Sequence, residues 1–105
     1  MLGFAREVVI FIRGRNREDL DSDRAFLRSL ERSLELVGEC ARRISVGTRE
    51  AYPFIAWRDI IGMRNIIAHE YGRVDPDELW KTASRDIPLL VSYMEAIVAA
   101  LPPPR

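Results

Sequence analysis

Apolar residues recur along the chain at intervals of three and four with charged residues between them, a spacing that predicts helices almost throughout. The clearest stripe is Phe26, Leu27, Leu30, Leu34, Val37, Ala41 and Ile44, for which Asp21 or Ser22 offers a cap and Gly47 a stop. Residues 4–13 suit a helix that buries Phe4, Val8, Phe11 and Ile12. The run VVIFI would also suit a buried strand, but no second strand-like run exists to pair with it. Gly14 to Asp21 reads as a polar loop, and Thr48, Ala51 and Tyr52 as a short turn before Pro53. A central helix runs from about Ala56 to near Gly72. Asp75-Pro76-Asp77-Glu78 then combines an aspartate cap, proline at the first helical position and glutamate three after the cap. Leu79, Trp80 and Ala83 give that helix an apolar side, and Pro88 kinks it or begins another. Ile87, Leu90, Val91, Met94, Ile97, Val98 and Leu101 form the last buried stripe. The tail Pro102-Pro103-Pro104-Arg105 cannot continue a helix and is expected to be disordered. The sum is an all-α bundle, one domain over residues 1–105, without internal repeat or linker.

Composition narrows the chemistry. The chain has 105 residues and a formal net charge of zero, which argues against indiscriminate wrapping of nucleic acid. Its sixteen basic residues are fifteen arginines and Lys81, and the arginine fork suits phosphate recognition as well as carboxylates. Clusters such as Arg13, Arg15 and Arg17, or Arg42, Arg43 and Arg49, can form local patches. Cys40 is the only cysteine, so no internal disulfide or cysteine metal site can form, and its neighbours Val37, Ala41 and Ile44 mark it as a small core residue. A single histidine rules out a histidine-rich zinc site within one chain, and no cofactor is expected. No stretch is long enough to span a membrane and none resembles a signal peptide, so the expected setting is the cytoplasm.

Candidate chemistry gathers in residues 63–75, MRNIIAHEYGRVD. With a turn of about 100° per residue, Trp57, Ile60, Ile61, Met63, Ile67 and Ala68 share one broad stripe, and Arg64 falls in its middle. A guanidinium cannot shed its charge, so burial demands a partner, an anion or a wet cleft. Five residues separate Arg64 from His69, a rotation of roughly 140° that puts them on different faces. Either the helix ends near His69 and turns it toward Arg64, or a second subunit completes the group. Asn65 and His69 share a face with Arg58 and Gly62, and Gly62 and Ile66 on this outer side favour a second packed surface, hence a dimer.

The segment YPFIAWRDIIGMRNIIAHEYGRVD resembles the HepT-like toxin family of the HEPN superfamily of helical domains. The family mark is arginine, four residues, histidine, one residue, tyrosine, preceded by Gly-Met-Arg-Asn and followed by Val-Asp. Here Gly62-Met63-Arg64-Asn65, His69, Tyr71, Val74 and Asp75 stand in that register. LELVGECARRIS and DELWKTASRDIPLL look like the preceding and following helices of the family, so that the resemblance covers roughly residues 24–101, while the first helix is short for it. The resemblance implies an up-and-down bundle of four to five helices that forms a homodimer. It also implies a metal-independent endoribonuclease, the toxin of a toxin–antitoxin pair, in which two motifs face one cleft. Arg64 and His69 would be catalytic, with Asn65 and Tyr71 supporting them or binding RNA. The implied antitoxin is a nucleotidyltransferase that attaches AMP to Tyr71. Two other readings stand beside this one. In one, the chain is a non-catalytic helical partner of a nucleotidyltransferase. In the other it is a structural dimer whose Arg64 pairs with an acid such as Asp59, Glu70 or Asp86 while His69 caps the helix.

Overall fold

The computed structural model describes residues 1–70 and 73–101. Among these, seven α-helical segments and one π-helical turn make an all-α bundle: α1 (Leu2–Phe11), α2 (Asp19–Ser22), α3 (Arg24–Arg42), α4 (Val46–Ala51), α5 (Trp57–His69), α6 (Pro76–Lys81), the π turn Thr82–Asp86, and α7 (Ile87–Ala99). The last three join end to end as one rod. Helix α3 packs most extensively on α5, while α1 lies against α3 and α7.

The long helix α3 carries the predicted stripe, with Phe26, Leu30, Leu34, Val37 and Ala41 buried. Its cap is Asp23, not Asp21 or Ser22: the Asp23 carboxylate accepts a hydrogen bond from the Phe26 amide at 3.0 Å. The two earlier residues belong to α2, a single turn that buries Leu20 inside the stretch expected as loop. Gly14 adopts a φ of +73° just after α1, a left-handed geometry that other residues resist. The expected stop at Gly47 is overturned. Helix α3 already ends at Arg42, and Gly47 lies within α4, whose cap Ser45 accepts from the Thr48 amide at 3.2 Å. At the first helix, Ala5 and Val8 are buried while Phe4 and Phe11 stay exposed, because only one narrow side of α1 meets the bundle.

The core joins Leu30, Leu34 and Val37 of α3 to Ile60 of α5 and to Leu79, Ile87 and Leu90 of the rod, all but wholly removed from water. Each such aliphatic side chain stabilises the fold by about 1.5–3 kcal/mol before chain entropy is set against it. Asp75 caps α6 as expected, accepting from the Asp77 amide at 2.8 Å, with Pro76 at the first position. Of the two expectations for Pro88, it begins another helix: it stands in the first turn of α7, directly after the π turn. A proline there has no amide hydrogen for the carbonyl four residues back, and its ring would crowd that carbonyl. The wider π turn immediately before it removes the conflict. Two hydroxyls occupy carbonyls nearby: Ser84 Oγ donates to the Trp80 carbonyl at 2.6 Å and Thr82 Oγ1 to that of Glu78 at 3.0 Å. Past Leu90 the expected buried stripe thins, for Val98 and Leu101 are exposed where α7 outruns its neighbours. No helix is long and apolar enough to cross a membrane among the described residues.

Candidate active site

Helix α5 is anchored at its start and open at its end. Trp57, its first residue, is buried and donates its indole N–H to the Tyr52 carbonyl at 3.0 Å. Ile60, Met63 and Ile67 then hold the helix on the core, and His69 is its last residue, exposed to solvent. At Glu70 the backbone leaves the helix with φ −126° and ψ 64°.

Arg64 lies where the stripe predicts, its side chain only 18% exposed, at the crossing of α5 over α3. The close approach depends on Gly38. A Cβ there would collide with Arg64 Cβ and stand 3.0 Å from both Arg64 Cγ and the Ile60 carbonyl oxygen. The guanidinium then spreads toward three neighbours. Nη2 pairs with Glu39 Oε2 at 3.0 Å, and Nη1 donates to Asn65 Oδ1 at 3.0 Å. Nη1 also stands 3.5 Å from His69 Nε2. Arg64 Nε is buried without a hydrogen-bond partner among the described residues, an unfavourable placement that the two Nη contacts must offset.

Arg64, Asn65 and His69 are therefore brought together within one chain. Rotation along the helix alone would separate Arg64 from His69, but a long arginine and a histidine on the last, unconfined turn reach each other. Tyr71 lies outside the described residues. The acid beside Arg64 is none of Asp59, Glu70 and Asp86; it is Glu39 of α3, and Glu70 is exposed. A helix-capping role for His69 gains no contact here, because the neighbour found for its ring is Arg64.

Glu39 escaped the sequence reading, together with Gly38 before it. A glycine inside a well-patterned helix costs about 1 kcal/mol relative to alanine, and that was the available signal that something must pass close by. Glu39 also gathers Arg42, with Oε1 to Nη2 at 2.9 Å and Oε2 to Nε at 3.3 Å, and Arg43, whose Nε stands 3.3 Å from Oε1. The Arg42 hydrogen bonds foremost, then the charges of Arg42, Arg64 and Arg43, hold the Glu39 carboxyl below the usual carboxylate range. It remains ionised, one carboxylate shared among three guanidinium groups.

On the far side of α5, a groove of about 590 Å³ is lined by Val46, Pro53, Trp57 and Ile61 and reaches Gly62 and Asn65. A Cβ built on Gly62 would have nothing within 4 Å. Among the described residues no three of histidine, cysteine, aspartate and glutamate converge as a metal-holding group.

Chemically the arrangement offers a cation held on two sides, with a polar amide and a solvent-facing imidazole each within hydrogen-bond reach of it. These are the parts needed to bind a phosphate and move a proton beside it. Residues 1–97 match the family model described as Ribonuclease HepT-like. A Thermococcus cleftensis protein named a probable ribonuclease HepT is 35% identical over 80 residues, which cover 76% of this chain and 73% of that protein. A Methanocaldococcus jannaschii protein whose name proposes it as an RNase is 30% identical over 101 residues, covering 96% and 87% of the two chains. A third relative, from Caldanaerobacter subterraneus subsp. tengcongensis and named in the same terms, is 32% identical over 87 residues, or 83% and 78%. No solved structure gives a significant match.

Proposed function

The chain belongs to the ribonuclease HepT-like family, and from that membership we propose that it is an endoribonuclease toxin that cuts RNA without a metal ion, using Arg64 and His69. The observation that carries this reading is the 3.5 Å approach of Arg64 Nη1 to His69 Nε2 at the open end of α5. Arginine can only donate, so a hydrogen bond across this gap needs a neutral imidazole with Nε2 unprotonated, and in the proposed reaction that nitrogen turns from Arg64 to the substrate.

In the proposed reaction Nε2 removes the proton of an RNA 2′-hydroxyl. The 2′-oxygen bonds to phosphorus, the bond from phosphorus to the 5′-oxygen breaks, and the leaving oxygen takes a proton. The products are a 2′,3′-cyclic phosphate and a 5′-hydroxyl. Arg64 holds the phosphate through the Nη2 hydrogen that Glu39 does not engage, and its positive charge stabilises the charge that grows on the phosphate oxygens. Asn65, bonded to Arg64, orients the guanidinium and borders the substrate. Two proton transfers at one phosphate suit two imidazoles, so the cleft would join His69 to His69 of the partner subunit in a homodimer. The groove along Val46, Pro53 and Ile61 beside the bare Gly62 supports a second copy approaching α5 from that side.

Tyr71 follows His69 by two positions. A nucleotidyltransferase antitoxin that attached AMP to its hydroxyl would bring bulk and negative charge beside a pocket made for phosphate, and so block RNA. An alternative, in which the chain is a non-catalytic partner of such an enzyme, predicts the same neighbour but no cutting.

The test is cleavage of RNA by purified protein in excess EDTA, wild type beside His69→Ala, with the product ends identified. The wild type should leave cyclic phosphates, and the variant should lose about 100- to 10,000-fold in rate. Equal cutting by both would sink the role of His69, and an unmodified wild type that cuts nothing would favour the binding partner.

A further inference from the structure

The residue that neutralises Arg64 belongs to a different helix from the motif. Resting on the nuclease reading above, we propose that Glu39 is a positioning residue for RNA cleavage, one that sets the Arg64 guanidinium at the angle from which it serves both phosphate and His69.

A planar guanidinium on a long stem is aimed only when its nitrogens are held on more than one side. Asn65 holds Nη1 from the same helix, and Glu39 holds Nη2 from α3, across the crossing that Gly38 opens. Remove the second hold and the plane can swing about the bonds of its stem, with Nη1 leaving the neighbourhood of His69.

A carboxylate beside a phosphate-binding arginine also threatens to quench it. Here the quenching is diluted, because the same carboxylate is shared with Arg42 and Arg43. One anion among three cations leaves the mouth of the site attractive to phosphate while still fixing Arg64. The hydrogen bonds from Arg42 that hold the Glu39 carboxyl below the usual carboxylate range keep it charged for this role at neutral pH. The competing structural role is a bare tie between α3 and α5, which would affect folding but not turnover.

Glu95 provides the control for a bare tie between helices. It lies on α7 and pairs with Arg6 of α1 at 3.2 Å, a helix pair that does not include α5. Full-length wild type, Glu39→Gln and Glu95→Gln are compared for kcat and KM on a labelled RNA, and for thermal midpoint. The exchange of the Arg64 Nε hydrogen is followed by NMR, since burial of that atom in the wild type should protect it.

Glu39→Gln should lower kcat about a hundredfold with KM changed less than about threefold, the signature of a misaimed catalytic group. It should also speed exchange at Arg64 Nε, while Glu95→Gln leaves kcat, KM and that exchange as in the wild type. Should Glu39→Gln not fold, Glu39→Asp, which keeps the charge but draws it back from Arg64, must lower kcat likewise. An unchanged kcat with a lower midpoint makes Glu39 a tie and overturns the proposal. So does a rise in kcat/KM, which would make it an inhibitory counter-ion. A wild type that never cuts overturns the nuclease reading and this role together, whereas an active wild type with an equally active Glu39→Gln overturns this role alone.

Discussion

A charged side chain placed among apolar ones poses a question that sequence can ask but not answer. Arg64 falls on the buried stripe of its helix, so its need for a partner was legible. The partner's identity was not, because Glu39 lies on another helix and only the crossing of α3 and α5 brings it near. The proximity of His69 to Arg64 was left open between two arrangements for the same reason: ideal rotation says nothing about the last residue of a helix. Asp86 poses the opposite problem. It is buried beside the groove between α5 and the rod, and burial foremost, then the charge of Asp59, push its carboxyl above the usual range, while Lys81 and Arg85 draw it back. A raised folded pKa means the proton binds more tightly in the folded chain than in the unfolded one. This group therefore costs stability at neutral pH, and the cost fades as pH falls through its folded pKa. Glu39 and Asp23 run the other way, both held below the usual range, and the stability they contribute is lost only as pH drops through their lowered values. Asp86→Asn should raise the thermal midpoint at neutral pH, with the gain shrinking toward acid. An equal gain at pH 4 and pH 7, measured by calorimetry and spanning roughly the carboxylate range, would contradict this account.

Among the elements, the long stripes of α3 and α5 were readable because burial on one face leaves a period that survives in sequence. The cap of α6 was readable because aspartate and proline act through their own backbone neighbours. The less legible pieces share a cause: α2 and α4 are single turns or little more, too short to show a period, so that α4 was readable only as a turn before Pro53 and α2 not at all, while the π turn answers to Pro88 two residues beyond it. The α3–α5 crossing supplies a sharper test. Helix propensity alone would reward Gly38→Ala by about 1 kcal/mol. Overpacking against the Arg64 stem and the Ile60 carbonyl should cost about 1–3 kcal/mol, so the variant is expected to be less stable and slower at cutting RNA. Denaturant unfolding together with the cleavage assay would decide it, and a more stable, fully active Gly38→Ala would mean that the helices can part without harm to the site.

For the molecule as a whole, the arginine-rich surface is less basic than its composition suggests. Arg28 pairs with Glu31, Arg32 with Glu35, and Arg17 with both Asp21 and Asp77, exposed contacts of little energetic weight that still occupy the guanidinium groups. The pairing of α3 with α5 leaves the Gly62 side of α5 uncovered, and the proposed dimer is tested there. Since a Cβ at Gly62 has nothing within 4 Å and the residue borders open grooves on both flanks, Gly62→Arg should give a monomer by sedimentation while keeping wild-type helicity. A wild type that is already monomeric at every concentration, or a variant that still dimerises, would remove the shared cleft. The π turn, finally, acts on the rod as a phase step in a wave. Ahead of it lies the short, capped α6; the turn itself touches both α5 and α1, and beyond it α7 runs along α1. The loss of one residue within Thr82–Asp86 would rotate everything downstream by about 100° and turn Leu90 away from the core, without altering a single residue of the Arg64 motif. The chain thus keeps two separate accounts of position along its length, and this one turn is where they are brought into step.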